Sequence, residues 1–180
     1  MNKLSRALGL ALGALALGLG LFLVGMRFHD GPIGIWSGGP FTSGSPAPAP
    51  ASWDFLTDRS TIEFQTLDPA TSRTVWLTIY KGRLFIVSGY MKTGFGKIWK
   101  QWPHYVVERD DRIILRIDGK LYAQRLRRIE GGRVAATVLD IFGHKYNLGA
   151  GENDMPVKRG DVWMFEVVPR VDEPEHDRAS

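Results

Sequence analysis

Cysteine is absent from the 180-residue chain. That excludes disulfides, thiolate metal sites and cysteine nucleophiles in one step. Histidine is scarce: His29, His104, His144 and His176 are scattered without metal-ligand spacing and read as surface or hydrogen-bonded core residues. Catalytic signatures are missing as well. The stretch GYMKTGFGK at 89–97 has the composition of a phosphate loop, but Phe95 stands where the lysine belongs and no Ser or Thr follows Lys97. Gly94-x-Gly96 lacks the third glycine of a dinucleotide fingerprint, and without a Gly-x-Ser-x-Gly motif Ser88 is no nucleophile elbow. Asp110-Asp111 reads as a turn between elements, not as an acid/base pair. An excess of one charge is lacking too. The net charge is +4, and setting aside Lys3, Arg6, Arg27 and Asp30 leaves 20 Lys and Arg against 18 Asp and Glu, a net of +2. A nearly balanced domain offers no concentrated basic face, so nucleic acid is not an expected partner.

What the chain does have is an unbroken apolar run, ALGLALGALALGLGLFLVGM, at 7–26. Twenty residues rising about 1.5 Å each span the roughly 30 Å hydrocarbon core of a bilayer. A cleavable signal peptide has a shorter apolar stretch and a small-x-small cleavage site, and Leu23-Val24-Gly25-Met26 carries no such pattern. The run therefore reads as an uncleaved signal anchor in contact with membrane lipid. Lys3, Arg6 and the terminal amine precede it, whereas Arg27 is followed by Asp30. The positive-inside rule then puts residues 1–6 in the cytoplasm and the rest outside it, in a single-pass protein of the inner or plasma membrane. Gly9 and Gly13, extended by Ala14 and Gly18, have the spacing that lets two helices approach closely, though such residues are also simply common in membrane helices.

Residues 27–52 are dominated by Gly, Pro, Ser and Ala and read as a linker, with SPAPAP as a semi-rigid extended spacer. Ile33, Ile35, Trp36 and Phe41 interrupt it and are expected to dock on the domain or lie at the lipid interface. From 53 to 171 the pattern becomes that of short strands, and the tail 172–180 reads as disordered. Thr61–Leu67 alternates, with Ile62 and Phe64 opposite Glu63 and Gln65. RTVWLTIY at 73–80 turns through Lys81-Gly82 into RLFIVS at 83–88. A second hairpin joins 112–118, with Ile113, Leu115 and Ile117 inward, to 121–129 through Gly119-Lys120, and a last strand covers 161–170. Arg125, Arg127 and Arg128 read as the charges of a solvated edge strand. Two stretches read as helices: 96–107, which Pro103 would end or kink, and 133–142, with Ala135, Val138, Leu139 and Phe142 on one face and Gly143 as the stop. The pattern predicts a mostly β fold: a small antiparallel six-stranded barrel with two short helices, preceded by one transmembrane helix.

One segment is chemically dense. Between 72 and 102 lie Ser72, Arg73, Thr74, Trp76, Ser88, Tyr90, Lys92, Lys97, Trp99, Lys100 and Trp102. Cations and hydroxyls beside aromatic rings suit an anionic, planar ligand. The alternative is that Trp99 and Trp102, three residues apart, are core while the lysines face water.

The pieces SRTVWLTIYKGRLFIVSG, KIWK at 97–100 and RIILRIDGKLYAQRLRRIE resemble the split-barrel flavin-binding fold of pyridoxamine-phosphate oxidases and of flavin- or deazaflavin-dependent reductases. The likeness covers roughly 70 residues and is one of strand order, with Pro103-His104 where the reductase branch often has Asn-Leu. It implies a split barrel, a flavin such as FMN as cofactor, and a homodimer with the cofactor at its interface. By position it implies Arg73, Thr74, Ser88, Lys97 and Lys100 on the phosphate side and Trp76 and Trp99 on the ring side. Over nearly its whole length the chain also resembles a group of uncharacterised single-anchor bacterial membrane proteins with a DGPIG…GGPF-like segment and a SGYM…WKQWP-like segment. The missing acid/base groups, the anchor and the Trp-rich segment lead to the expectation of a non-catalytic binding or interaction module of the bacterial envelope. The alternative is a flavin-dependent oxidoreductase.

Overall fold

A computed structural model describes residues 3–94, 100–149, 151 and 153–170. Helix α1 (Lys3–Met26) contains a 22-residue span, Ser5–Met26, of mean hydropathy 2.4, long and apolar enough to cross a membrane. Among the described residues seven strands follow: β1 (Ser45–Ala47), β2 (Thr61–Leu67), β3 (Ala70–Tyr80), β4 (Arg83–Ser88), β5 (Arg112–Ile117), β6 (Lys120–Ile129) and β7 (Trp163–Pro169). Their order is β1-β6-β5-β2-β3-β4-β7, and β7 also pairs with β6. The last pairing closes β2 to β7 into a six-stranded antiparallel barrel, as the strand pattern predicts.

Two tight turns set the hairpin registers. Lys81 and Gly82 both take positive φ, at 52° and 72°, as a two-residue turn matched to strand twist requires. The second such pair is Asp118-Gly119, at 50° and 73°, one residue earlier than expected, and Lys120 already belongs to β6. The expected edge strand is also corrected. Barrel closure flanks β6 with both β5 and β7, so its arginines are paired: Arg125 to Asp111, Arg127 to Glu166, and Arg128 over the Trp163 ring at 4.1 Å.

The barrel interior holds Phe64, Leu77, Leu84, Ile86, Ile113, Leu115 and Phe165, all with no exposure. Period-2 alternation aims these side chains inward. A second apolar layer lies outside the barrel, where Phe85 and Met164 meet Ala135, Val138 and Leu139 of a helix. Among the described residues three further α-helices follow α1: α2 (Trp102–Glu108), α3 (Arg133–Lys145) and α4 (Met155–Lys158). Pro103 lies in the first turn of α2 and opens the helix instead of ending it, because a first-turn N–H needs no helical partner. Gly143 does not stop α3 either. A Cβ there would overlap the Gly149 carbonyl, so close approach demands the glycine, and the left-handed residue past the helix is Asn147 at φ 54°.

Residues 27–47 form a collar around one side of the barrel. Ser45–Ala47 of the expected spacer pairs in parallel with Lys120–Tyr122. Gly38 bridges to Ser72, and the Ser72 hydroxyl donates to the Gly39 carbonyl at 2.6 Å. Asp30 accepts from the Thr42 amide and the Ser43 hydroxyl and pairs with Arg116, which also binds Glu63 at 2.6 Å. Phe41 lies under the Arg116 guanidinium at 4.2 Å, and Trp36 packs edge-on against Phe22 of α1 at 5.6 Å. Ile33 and Ile35 stay exposed. Met26, at the end of α1, is buried.

Candidate functional site

The site begins where a hairpin opens. Pairing between β3 and β4 runs from Tyr80↔Arg83 only to Leu77↔Ile86, although β3 extends back to Ala70 and β4 on to Ser88. Beyond that point β4 pairs with β7 alone, through Val87↔Met164 and Ser88↔Trp163. The parted strands leave a cavity of about 940 Å³, with Arg73, Thr74, Val75 and Trp76 on one side and Val87 and Ser88 on the other. That volume is at the upper end of ordinary ligand pockets, roughly 300–1,000 Å³.

Five of the seven residues singled out from sequence line this cavity: Arg73, Thr74, Trp76, Ser88 and Lys100. Lys97 and Trp99 lie outside the described residues. Tyr90 and Lys92 of the dense segment are also in the wall. Ser72 and Trp102 serve the fold instead: Ser72 holds the collar, and Trp102, although it reaches the cavity, is buried against Phe64 and Phe165 at 4.9 and 5.3 Å.

The remaining walls come from distant parts of the chain. Leu139 and Phe142 of α3 face Trp76, whose ring is 5.9 Å from Phe142 and stacks on Tyr146 at 4.7 Å. Tyr146 fixes that wall for a specific reason. β2 starts at Thr61, opposite Trp76, so the Leu77 backbone has no strand partner on that side. The Tyr146 hydroxyl fills the gap, accepting from the Leu77 amide at 3.0 Å while lying 2.8 Å from the Leu77 carbonyl and 2.5 Å from that of Ser60. Burial raises the Tyr146 pKa, so the hydroxyl keeps its proton for these bonds. The third wall is the end of α1 and the collar: Leu23, Met26, Arg27, Ile35 and Trp36.

The charge distribution is one-sided. Arg27, Arg73, Lys92 and Lys100 line the cavity against Asp161, the one carboxylate among the described lining residues, and Asp161 lies 3.9 Å from Lys92. Arg73 is the unusual member. Among the described residues its Nε is buried without a hydrogen-bond partner, and its side-chain hydrogen bond, from Nη2 to the Thr71 hydroxyl, is long at 3.4 Å. Burial pulls its pKa down to about 10, and among the described residues no carboxylate offsets the cost. Burial also lowers the Lys100 pKa, and its ammonium lies 5.8 Å from the centre of the Tyr90 ring. Tyr90 itself holds a left-handed backbone at φ 61°, an uncommon conformation for a bulky residue that tends to collect at functional sites. The Ser88 hydroxyl is buried and donates to the Met91 sulfur at 3.3 Å.

No family model matches this chain. No curated protein matches it either. Among solved structures, the crystal structure of conserved hypothetical protein Rv2991 from Mycobacterium tuberculosis is similar at a TM-score of 0.45 and 15% identity, covering 65% of this chain and 77% of that chain.

The arrangement brings together the groups that hold an anion with an apolar body. Arg73, Lys92 and Lys100 supply donors for an anion, Trp76, Leu139 and Phe142 supply apolar surface, and Ser88 supplies a polar atom. Asp161, the one carboxylate in the described wall, is already opposite Lys92. Sequence could not reveal the α1, collar and α3 walls, because no local period reports which distant segments cover a parted hairpin.

Proposed function

We propose that this protein is a membrane-anchored, non-catalytic binding module of the bacterial envelope, whose cavity between β3 and β4 takes an anionic ligand with an apolar or planar body. The observation that carries the reading is Arg73, a cation lining that cavity with its Nε buried and no acid partner among the described residues. Desolvating an arginine is costly, and an anion held by it recovers that cost through charge-assisted hydrogen bonds. The apolar helix serves as the anchor, with the N-terminus in the cytoplasm and the barrel outside.

Calorimetric titration of the full chain, in a neutral detergent, with dodecyl phosphate and with FMN tests this. Saturable one-to-one binding of either anion in the micromolar range supports the module. Saturation by neither overturns it.

A flavin-dependent oxidoreductase is the second reading, favoured by the convergence of Arg73, Thr74, Trp76, Ser88 and Lys100 on one cavity. On that reading the residues orient a flavin and the cofactor carries the redox chemistry. Flavin absorbance that survives desalting, and is bleached by a nicotinamide donor, replaces the module with the enzyme.

A further inference from the structure

The cavity and the membrane helix share a wall. Leu23 and Met26 belong to the last two turns of α1, and Arg27 follows them directly. In a membrane-inserted chain this end of α1 marks the boundary between hydrocarbon and water. The residues around it have the composition of that boundary. Phe28, Ile33 and Ile35 are exposed at 83, 46 and 79%, Trp36 lies against Phe22, and Arg27 faces solvent. Exposed apolar side chains clustered beside a tryptophan and a basic residue are stabilised at a bilayer surface and destabilised in water.

The collar makes this placement rigid. Gly39 donates to the His29 carbonyl, the His29 ring bonds the Gly31 carbonyl at 2.8 Å, and Ser72 grips Gly39 from β3. A Cβ at Gly38 would overlap the Gly31 carbonyl, and one at Gly39 the Arg27 carbonyl, so the chain is close-packed here. The parted hairpin is thus held against the end of the anchor.

Given the binding reading above, on which this step rests, we infer that the ligand is an anionic membrane lipid, drawn from the leaflet facing the barrel so that its phosphate meets Arg73 and Lys100 while its chains stay against Leu23, Met26 and the bilayer. Two features favour a lipid over a water-soluble anion. An apolar wall made partly of the anchor's own last turns is left unfilled by a small anion, and a cavity beside the interface samples lipid at far higher local concentration than solute. Four cations against one carboxylate favour a net negative headgroup over a zwitterionic one.

The test uses the full chain in nanodiscs of equimolar phosphatidylcholine and phosphatidylglycerol with identical acyl chains. Native mass spectrometry of the ejected protein reads which lipid it retains. The expected result is one retained phosphatidylglycerol, with retention falling about tenfold in Arg73→Gln, the loss that removing one charge-assisted hydrogen bond produces. Lys100→Gln is the second variant should Arg73→Gln fail to keep the wild-type circular dichroism spectrum. Equal retention of the two lipids, or phosphatidylglycerol retention unchanged in both variants, identifies lipid bound only around the helix and overturns the inference. Dodecyl phosphate binding that depends on Arg73, without phosphatidylglycerol enrichment, overturns the lipid source and leaves the binding module standing. Loss of both signals, with no saturable FMN binding either, removes the module as well.

Discussion

Arg73 and Tyr146 show how single residues divide between function and fold. Among the described residues Arg73 has a buried, unsatisfied Nε and no acid partner, which costs the fold stability. Arg73→Met, which keeps much of the side-chain volume and removes the charge, is expected to raise stability by about 1 kcal/mol in urea titration while weakening anion binding at least about tenfold. A variant less stable than wild type would show that Arg73 supports the barrel. Tyr146 is the opposite case. Tyr146→Phe keeps the stacking on Trp76 but leaves the Leu77 amide with no acceptor, an expected loss of about 1–2 kcal/mol. Hydrogen exchange should locate that loss at the Leu77 amide, with the amides of the paired strands unchanged.

At the scale of elements, local rules and closure speak separately. The β4, β5 and β7 strands and the amphipathic face of α3 were legible because period 2 and period 3.6 are written in consecutive residues such as Ile113, Leu115 and Ile117. Pro103 and Gly143 have the local signature of helix breaks, but each has two physical uses, and only the neighbouring chain decides between them. The arginines of β6 misled for a related reason, since an edge strand and a strand closed by ion pairs carry the same charges. Those ion pairs give the fold an acid sensitivity. Burial pushes the Glu166 pKa up, but hydrogen bonds from Arg83 and Arg127 outweigh it and hold the carboxyl below its ordinary 4.5. Asp30 is held well below its ordinary 3.8, first by the Ser43 hydroxyl, then by the Thr42 amide, with Arg116 adding to both. A carboxyl with a depressed folded pKa stabilises fully above its unfolded value, and the contribution is lost as pH falls through the folded one. The urea midpoint should therefore hold steady down to about pH 5 and drop progressively below it, and Glu166→Gln should lower the neutral-pH midpoint while flattening the drop. A pH-independent midpoint would remove these carboxylates from the stability account.

For the whole molecule, the apolar helix and the cavity acquire meaning together. The sequence showed a candidate anchor and, separately, a segment dense in cations, hydroxyls and aromatics. It could not show that the collar packs against Ser72 and Arg116, so that the end of α1 and the dense segment line one space. That juxtaposition depends on long-range contacts, among them an Asp30 bond to an arginine 86 residues away. The most direct measurement of the central claim is the affinity of the full chain for dodecyl phosphate, compared between wild type and Arg73→Gln at fixed ionic strength. The expected outcome is saturable wild-type binding weakened at least about tenfold in the variant. Equal affinity in the two proteins would contradict an anion site centred on Arg73.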